Sequence, residues 1–307
     1  MSGIEQVFIL GAPRSGTTFL SSLLENTRFG VPVETHFITK YYKILDRYGD
    51  LSNAGSFRRL MEDILAERPV QQWRLQLDID EFYHSLDGDY RYANIVNRLV
   101  LRREAMSGYQ AWGDKTPHYL GDVDILFTLF PDAKFVYIVR DGRDVALSLL
   151  QKNWGPNNVM RCAEYWARLN DKAETIDRIK ARGNLWELSY EGLIEETESY
   201  IDRVYGFLDE TIDKSTKNRL VQSVKGSNYN KWKTQMSPEQ IRTFESVAGD
   251  TLIRFGYEIQ TDCKPLPAWK AMLYRMHDQY RRVLFLFEIN VIDGIKIRFF
   301  GKEPFNE

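Results

Sequence analysis

The stretch that decides the fold is Val7-Phe-Ile-Leu-Gly-Ala-Pro-Arg-Ser-Gly-Thr-Thr-Phe-Leu20. Its first four residues are continuously apolar, as in a buried strand, and they end at Gly11. Over residues 17–25 the apolar positions recur with helical spacing, so the chain passes from a strand into a helix through a loop bounded by glycines. Such a loop can bind a phosphate, because backbone N–H groups and the helix dipole point into it.

Two more apolar runs predict further strands. Residues 134–139 lie between turn-forming dipeptides and precede a helical stretch that ends near Leu150, and residues 185–188 form the third run. Strands that alternate with helices predict an α/β fold with a central parallel sheet flanked by helices, in which ligands bind beyond the carboxyl ends of the strands. The other predicted helices cover residues 57–67, 92–106, 158–180 and a stretch that begins at Pro238 with Ser237 as its N-cap.

The composition excludes several classes of protein. The chain has 307 residues, of which 41 are basic and 43 acidic, for a net charge of -2. This balance leaves no overall positive charge for nucleic-acid binding, so an anionic ligand must be bound by a local cluster. Two cysteines and four histidines are too few for a disulfide framework or a zinc cluster, and we expect no metal site.

The organisation of the chain predicts one domain over residues 1–307, with a helical C-terminal extension from about residue 268, because no linker or repeat marks a boundary. The absence of a long apolar run and of a signal-peptide layout predicts a cytoplasmic protein. An apolar stripe from Trp269 to Phe287 is expected to pack against the body of the protein. A dimer seam, a carrier-protein dock and a membrane-surface contact are the alternatives.

The first loop carries hydrogen-bond donors suited to a phosphate. The candidate phosphate-binding residues are Arg14, Ser15, Gly16, Thr17 and Thr18. The nucleotide triphosphatase motif requires lysine at position 17, where this chain has threonine, so the group that reaches the β and γ phosphates is missing. An ordinary strand-to-helix turn is the alternative, but it does not explain why an arginine and three hydroxyls converge on one helix start.

Residues 13–18, Pro-Arg-Ser-Gly-Thr-Thr, resemble the 5′-phosphosulfate loop of sulfotransferases that use 3′-phosphoadenosine 5′-phosphosulfate (PAPS). The form is that of bacterial members, with motifs also similar to tyrosylprotein and heparan-type enzymes. Residues 135–148 resemble the family's 3′-phosphate element, in which Arg140 ends a strand and Ser148 follows on the next helix. An arginine there can clamp a phosphate bidentately. The resemblance spans roughly residues 7–257, and it implies a P-loop-like α/β fold with helical insertions.

Weaker matches imply further contacts to this co-substrate. The stretch around Tyr190 resembles one whose tyrosine approaches the adenine, although Gly192 replaces the family's aspartate. Lys152 stands where some members have another basic contact to the 3′-phosphate, and solvated surface charge is an equal alternative. Residues 224–232 resemble the loop that closes over the nucleotide, and this loop contributes Lys225, Gly226, Lys231 and Trp232.

The resemblance implies in-line transfer of the sulfuryl group from PAPS to an acceptor hydroxyl or amine, with release of adenosine 3′,5′-bisphosphate. Arg14 and the loop amides would stabilise the developing charge. Glu34 aligns with a catalytic glutamate of tyrosylprotein sulfotransferases and is the first candidate for the base, with His36 as the second. Either side chain could instead cap the helix that begins near Phe37.

Residues 112–119 resemble the Lys-Thr-Pro or Lys-Ser element of several sulfotransferases. The resemblance implies that Lys115 supports the acceptor side or the transferring sulfuryl group. A flexible ammonium can follow charge as it moves to the leaving oxygen. The same segment can form a helix start, with Thr116 as the cap and Pro117 at the first position. His118 faces the acceptor in one interpretation and is structural in the other.

Two other functions compete with sulfuryl transfer: a P-loop nucleotide phosphotransferase, and a catalytically inactive nucleotide-binding or interaction protein. The motifs do not specify the acceptor. A small molecule, a glycan, a peptide and a carrier-bound acyl chain are the candidate partners, together with a second copy in a homodimer, whereas nucleic acid is not expected.

Overall fold

The protein is described by a computed structural model that covers residues 3–103, 108–224 and 229–287. The chain divides into two compact units, Met1–Arg140 with Lys172–Ser227, and Asp141–Asp171 with Asn228–Glu307. Neither unit is one continuous piece of sequence, because the chain crosses from one to the other more than once. The single domain expected over residues 1–307 stays a prediction.

The first unit contains a parallel sheet of four strands in the order β2-β1-β3-β4. The strands are β1 (Glu5–Leu10), β2 (Ala111–Asp114), β3 (Lys134–Val139) and β4 (Leu185–Ser189). The predicted α/β class is therefore confirmed. Strand β2 was not predicted, because Ala-Trp-Gly-Asp is too short and too mixed to form an apolar run. Its existence depends on pairing with β1, where Glu5 aligns with Ala111 and Phe8 with Asp114.

Helices surround this sheet and build the second unit. Numbered along the chain, they are α1 (Thr17–Leu24), α2 (Phe37–Tyr42), α3 (Ala54–Leu65), α4 (Arg68–Gln71), α5 (Ile79–His84), α6 (Tyr92–Leu101), α7 (Val123–Leu129), α8 (Gly142–Leu149), α9 (Val159–Leu169), α10 (Ala173–Ala181), α11 (Tyr190–Glu195), α12 (Thr197–Phe207), α13 (Lys214–Ser223), α14 (Trp232–Gln235), α15 (Pro238–Arg254) and α16 (Ala268–Phe287). Helices α8, α9 and α14 to α16 belong to the second unit.

The single helix predicted over residues 158–180 is wrong, because α9 and α10 are separate. The break follows Leu169, where the side-chain amide of Asn170 donates 2.7 Å to the carbonyl oxygen of Trp166 and satisfies a terminal helix acceptor. The helix predicted over residues 92–106 ends at Leu101, and residues 104–107 lie outside the described part of the chain.

The core of the first unit is centred on β1, whose residues Val7 to Leu10 are all buried. Burial of successive residues means that both faces of the strand are covered, as expected for a parallel sheet between helices. The ring of Phe8 packs against those of Trp112, Phe130 and Phe135, with centroid distances of 5.5–5.6 Å. The sheet thus fixes the carboxyl ends of its strands, from which the candidate site is built.

In the second unit, α9 packs against α8, α15 and α16. Helix α15 begins as predicted, with Ser237 and Gln240 forming a reciprocal capping box. The close approach of α8 depends on Gly142, because a Cβ atom there would lie 2.5 Å from the ring of Trp166. Residues 268–287 form the expected C-terminal helix, and residues 288–307 lie outside the described range.

The expected packing of the apolar stripe of α16 is wrong. Its large apolar side chains are exposed, whereas Asp278 is buried. The polar face of α16 therefore packs against α9, because Asp278 binds Asn157, which lies just before α9, and Arg161, which lies within it. In the described ranges, no helix is long and apolar enough to cross a membrane.

Candidate active site

The loop between β1 and α1 has a backbone that only a few sequences can adopt. A Cβ atom at Gly11 would lie 2.8 Å from the side chain of Ile138, and one at Gly16 would lie 2.6 Å from the ring of Tyr190. Gly16 also has a φ of +96°, and the non-glycine residue Arg14 has a φ of 72°. A left-handed arginine is strained, and such strain typically persists at sites that bind ligands.

The loop presents several hydrogen-bond donors at the start of α1. The first backbone N–H groups of any helix have no acceptor within the helix. Ser15 is buried, and its hydroxyl has no hydrogen-bond partner among the described residues. Thr17 is buried as well, whereas Arg14 and Thr18 are exposed. An orphaned buried hydroxyl beside a helix start fits an anion whose oxygen would complete its hydrogen bonding.

Arg140 follows β3 and supports this loop directly. Its Nη1 donates to the carbonyl oxygen of Arg14 at 2.8 Å, and its guanidinium carbon lies 4.5 Å from the ring centroid of Tyr190. Strands β1, β3 and β4 are neighbours in the sheet, and their ends bring together Arg14, Arg140 and Tyr190, three of the residues predicted from the sequence. One Arg140 donor, Nη1, thus holds the strained residue Arg14 in place. The sequence did not indicate this supporting role.

A second group of polar residues lies beyond the end of β2. The ammonium of Lys115 contacts Oε1 of Glu34, and Nε2 of His36 lies 3.0 Å from Oε2 of the same carboxylate. Nδ1 of His36 is 2.9 Å from Nε2 of His118. These four residues, named here the base cluster, include all three acceptor-side residues predicted from the sequence. They meet because the N–H of Lys115 donates to the carbonyl oxygen of Val33 at 2.7 Å.

The base cluster changes the pKa of two of its members. The hydrogen bond from His36, together with the Lys115 ammonium, lowers the pKa of Glu34 to about 2. A carboxylate so strongly stabilised is a weak proton acceptor. Burial and the neighbouring His36 lower the pKa of His118, which favours its neutral imidazole.

When both imidazoles are neutral, the hydrogen bonds of the base cluster define one arrangement of protons. An ionised carboxylate only accepts, so His36 donates from Nε2 to Glu34 and its Nδ1 becomes an acceptor. His118 then donates from Nε2 to Nδ1 of His36, which leaves the lone pair on Nδ1 of His118 available. The imidazole of His118 is exposed. The chain of hydrogen bonds therefore ends at a proton acceptor that is open to an incoming group.

Asp114 is a site residue that sequence reasoning missed. Its buried carboxylate accepts from the N–H of Thr35 at 3.0 Å and from the N–H and hydroxyl of Thr116 at 2.8 and 3.2 Å. Burial raises its pKa to about 6. These bonds tie together the two segments that carry the base cluster. The only signal in the sequence was an aspartate two residues before a threonine, which many turns share.

The alternative role of His36 and Thr116 as helix caps is met in position but not in side-chain hydrogen bonding. His36 occupies the N-cap position of α2 with a φ of 52°, but its side chain makes no capping bond, and Glu34 is held by Lys115 and His36. Thr116 precedes Pro117 at the start of a 3-10 helix, yet its hydroxyl bonds to Asp114 rather than to that helix. The side chains are used within the site instead of at helix ends.

The family model described as the sulfotransferase family matches residues 6–214, about two thirds of the chain. The chain belongs to the sulfotransferase family.

Sequence relatives of this sulfotransferase are distant. An uncharacterized protein of Aquifex aeolicus is 26% identical over 211 residues, 66% of this chain and 25% of that protein. The nodulation protein NoeE of Sinorhizobium fredii is 23% identical over 292 residues, 82% of this chain and 65% of that protein. The chain thus spans less than two thirds of the length of either relative.

Two solved sulfotransferase domains share the fold. The domain from the curacin biosynthetic pathway has a TM-score of 0.54 at 18% identity, with 84% of this chain and 99% of that domain covered. The domain from the Synechococcus PCC 7002 olefin synthase has a TM-score of 0.52 at 20% identity, with 84% and 97% covered. The central parallel sheet with flanking helices is therefore the fold of this family.

The second unit contains four more of the residues that are predicted to contact the nucleotide. Ser148 is half-buried on α8, and Lys152 and Lys231 are exposed. Trp232 is fully buried: its ring lies 3.5 Å from the guanidinium carbon of Arg143, and its backbone N–H donates 2.9 Å to Asp144. Lys225 and Gly226 lie outside the described residues. The roles of all these residues stay predictions.

A metal centre has no support in residues 3–103, 108–224 and 229–287, where no three His, Cys, Asp or Glu side chains are arranged to hold an ion.

Proposed function

We propose that the protein transfers the sulfuryl group of PAPS to an acceptor hydroxyl or amine by in-line displacement and releases adenosine 3′,5′-bisphosphate. The observation that supports this most directly is the loop between β1 and α1 of a sulfotransferase-family chain, in which the buried hydroxyl of Ser15 has no partner among the described residues. The loop has Thr17 where nucleotide triphosphatases need lysine, so a P-loop phosphotransferase is not favoured.

The residues around the loop fit the anionic end of such a nucleotide. Arg14, Ser15 and the amides that begin α1 would hold the 5′ side, and Gly16, Thr17 and Thr18 complete this set. Arg140, which holds the Arg14 carbonyl in place, would also contact the 3′-phosphate. Ser148, Lys152, Tyr190, Lys225, Gly226, Lys231 and Trp232 are the further proposed contacts. PAPS supplies an activated sulfuryl group and a bisphosphate leaving group.

The base cluster would remove the acceptor proton. The hydrogen-bond arrangement points to Nδ1 of His118 as the atom that receives it, with the Nε2 proton moving to Nδ1 of His36. The positive charge that forms on His36 then lies 3.0 Å from the Glu34 carboxylate. Glu34 thus acts as the group that orients and stabilises the imidazole, which differs from its first assignment as the direct base. Lys115 balances the charge of Glu34 until sulfuryl transfer begins.

The first experiment is an acceptor screen with [³⁵S]PAPS against small alcohols and amines, glycans, tyrosyl peptides and carrier-bound acyl chains. We expect transfer to at least one class, with stoichiometric release of adenosine 3′,5′-bisphosphate. ATP turnover with no preference for a 3′-phosphate would contradict the proposal. Binding of the bisphosphate without transfer to any acceptor would favour the inactive nucleotide-binding protein.

A second experiment tests the role of Arg140 by calorimetry. Arg140→Ala should weaken adenosine 3′,5′-bisphosphate about 10-fold or more, because bonds to charged groups contribute about 1.5–3 kcal/mol. The loss for adenosine 5′-phosphate, which lacks the 3′ group, should be smaller. Equal losses for the two nucleotides would assign Arg140 to loop support alone.

A further inference from the structure

Helix α16 packs with its polar side inward. Asp278 is 3% exposed, and its Oδ1 accepts from the backbone N–H and the side-chain amide of Asn157 at 2.9 and 3.0 Å. Its Oδ2 lies 3.3 Å from Nε of Arg161 and 3.0 Å from Nε of Arg282. The side-chain amide of Asn158 donates 2.8 Å to the carbonyl oxygen of Tyr274. A buried carboxylate with this many partners fixes the rotation of the helix about its own axis.

This rotation turns the apolar side outward. Nine large apolar side chains of α16 are 41–66% exposed. Eight of them lie on one side of the helix: Trp269, Met272, Leu273, Met276, Tyr280, Val283, Leu284 and Phe287. At about 100° per residue they share a face on the order of 120° wide, along a helix of about 30 Å. An amphipathic helix of a globular protein normally buries such a face, so the arrangement indicates a surface that binds something apolar.

Basic residues border this face on both sides. Lys270 and Arg281 follow one edge of the apolar face, and Arg275 and Arg282 follow the other, at about 100–140° from its centre. On the exposed faces of α16 itself there is no acidic residue, because Asp278 is turned inward. Carboxylates of neighbouring helices reach two of the cations, since Lys270 pairs with Glu239 and Arg275 with Glu164. A central apolar face with flanking cations and an aromatic residue near each end is the layout of helices that lie in a membrane interface.

We propose that α16 binds the surface of an anionic phospholipid bilayer, with its axis in the plane of the membrane and its apolar face among the acyl chains. Arg281, together with the exposed guanidinium groups of Arg275 and Arg282, would reach the phosphate groups while their apolar stems stay against the face. A second copy of the chain is less suitable, because two such helices would bring rows of like charge together. The face is also wider than the narrow seam that pairs two helices in a coiled coil. This surface is independent of the proposed sulfuryl transfer.

The test is vesicle flotation of the full-length protein. The probes are vesicles of phosphatidylglycerol with phosphatidylcholine, and vesicles of phosphatidylcholine alone. We expect co-flotation with the first and at least 10-fold less with the second, decreasing as salt is raised. The double variant Met276→Asp, Val283→Asp should lose at least 10-fold of the binding, because both side chains are exposed on the apolar face.

The matched control is Ile253→Asp, which changes an apolar side chain of equal exposure on α15, and it should bind as the wild type does. Unfolding temperatures of all variants show whether the fold is kept. Light scattering after gel filtration tests whether a second copy of the chain covers the face instead. A dimer that Met276→Asp converts to monomers would overturn the proposal. It is also overturned if the wild type does not float with anionic vesicles, if both vesicle types bind equally, or if the control loses as much binding as the double variant.

Discussion

Two clusters of charged residues in this protein use the same chemistry in different ways. In the second unit, Arg143 is fully buried and bonds to Asp141 and Glu245 at 2.7–3.0 Å. Glu245 also accepts from the backbone of Gln260 and Thr261. The base cluster of the first unit also joins basic and acidic groups, but it ends in the exposed imidazole of His118. Every donor nitrogen of Arg143 already has an acceptor, whereas the base cluster still has an available lone pair on Nδ1 of His118.

This difference indicates which charges hold the fold and which can perform chemistry. The hydrogen bonds of a buried, fully paired guanidinium cannot rearrange while the protein stays folded, because moving any partner leaves a buried charge uncompensated. An imidazole pair beside a carboxylate can exchange a proton without moving heavy atoms. The sequence Arg140-Asp-Gly-Arg143-Asp did not separate these roles. Arg143 is structural, whereas Arg140 supports the loop that would hold the nucleotide.

The largest expected effect is on catalysis through His118. His118→Ala should lower kcat for the acceptor found in the screen by about 10²–10⁴-fold, because the terminal proton acceptor is lost. Binding of adenosine 3′,5′-bisphosphate, measured by calorimetry, should be unchanged. Glu34→Gln is the informative companion. A smaller loss of kcat in Glu34→Gln than in His118→Ala supports an orienting role for Glu34, whereas full activity of His118→Ala would return the base to Glu34.

The next effect separates the two clusters by stability. Arg143→Met should lower the free energy of unfolding by about 3–5 kcal/mol, since it leaves two buried carboxylates without their cation. Lys115→Met removes a cation from the partly exposed base cluster and should cost about 1 kcal/mol or less. Urea unfolding followed by far-UV circular dichroism measures both. Similar losses in the two variants would show that the base cluster is also a structural element.

A smaller effect is expected at the phosphate loop. Ser15→Ala removes a buried hydroxyl that has no partner in the described part of the chain, so the unfolding midpoint should stay the same or rise slightly. The affinity for adenosine 3′,5′-bisphosphate should fall about 10-fold, because the hydroxyl would bond to a charged oxygen. Calorimetry with adenosine, which has no phosphate, provides the control and should give equal affinity in both proteins. An unchanged bisphosphate affinity would place the anion away from Ser15.

How far the sequence predicts the site depends on the range of the interactions. The strand, the glycine-bounded loop and the helix around Gly11 to Thr18 were predictable, because they form a local sequence pattern. The pairing of Glu34 with Lys115 was not, since it requires β2 beside β1 and residues about 80 positions apart. Asp114 was missed for the same reason. Its two backbone donors, Thr35 and Thr116, come from different segments of the chain, so no local sequence pattern predicts both bonds.

The orientation of α16 illustrates a second limit. Apolar spacing from Trp269 to Phe287 predicts an amphipathic helix and nothing about which side is buried. The usual expectation is that the apolar side packs. In this chain one aspartate, Asp278, decides otherwise, because its partners at Asn157 and Arg161 lie on the body of the second unit. A single buried polar residue can therefore outweigh a stripe of eight apolar ones in setting the rotation of a helix.

The smallest effect is a pair of pH dependences of opposite sign within the site. The pKa of Glu34 is lowered from 4.5 to about 2, so its contribution to stability is complete above pH 4.5 and is lost as the pH falls toward 2. The pKa of Asp114 is raised from 3.8 to about 6, so its contribution is complete below pH 3.8 and is lost as the pH rises through 6.

Urea midpoints measured in small steps from pH 2.5 to 7 distinguish these two carboxylates. Relative to Glu34→Gln, the wild type should lose stability as the pH falls below 4.5. Relative to Asp114→Asn, it should lose stability as the pH rises from 4 to 6. The contrast follows from surroundings, because Glu34 has a cation and an imidazole beside it, whereas Asp114 is buried with only neutral donors. If the two stability differences changed with pH in the same direction, Asp114 would also be stabilised in its charged form. Asp114 would then position the base cluster as an ionised carboxylate.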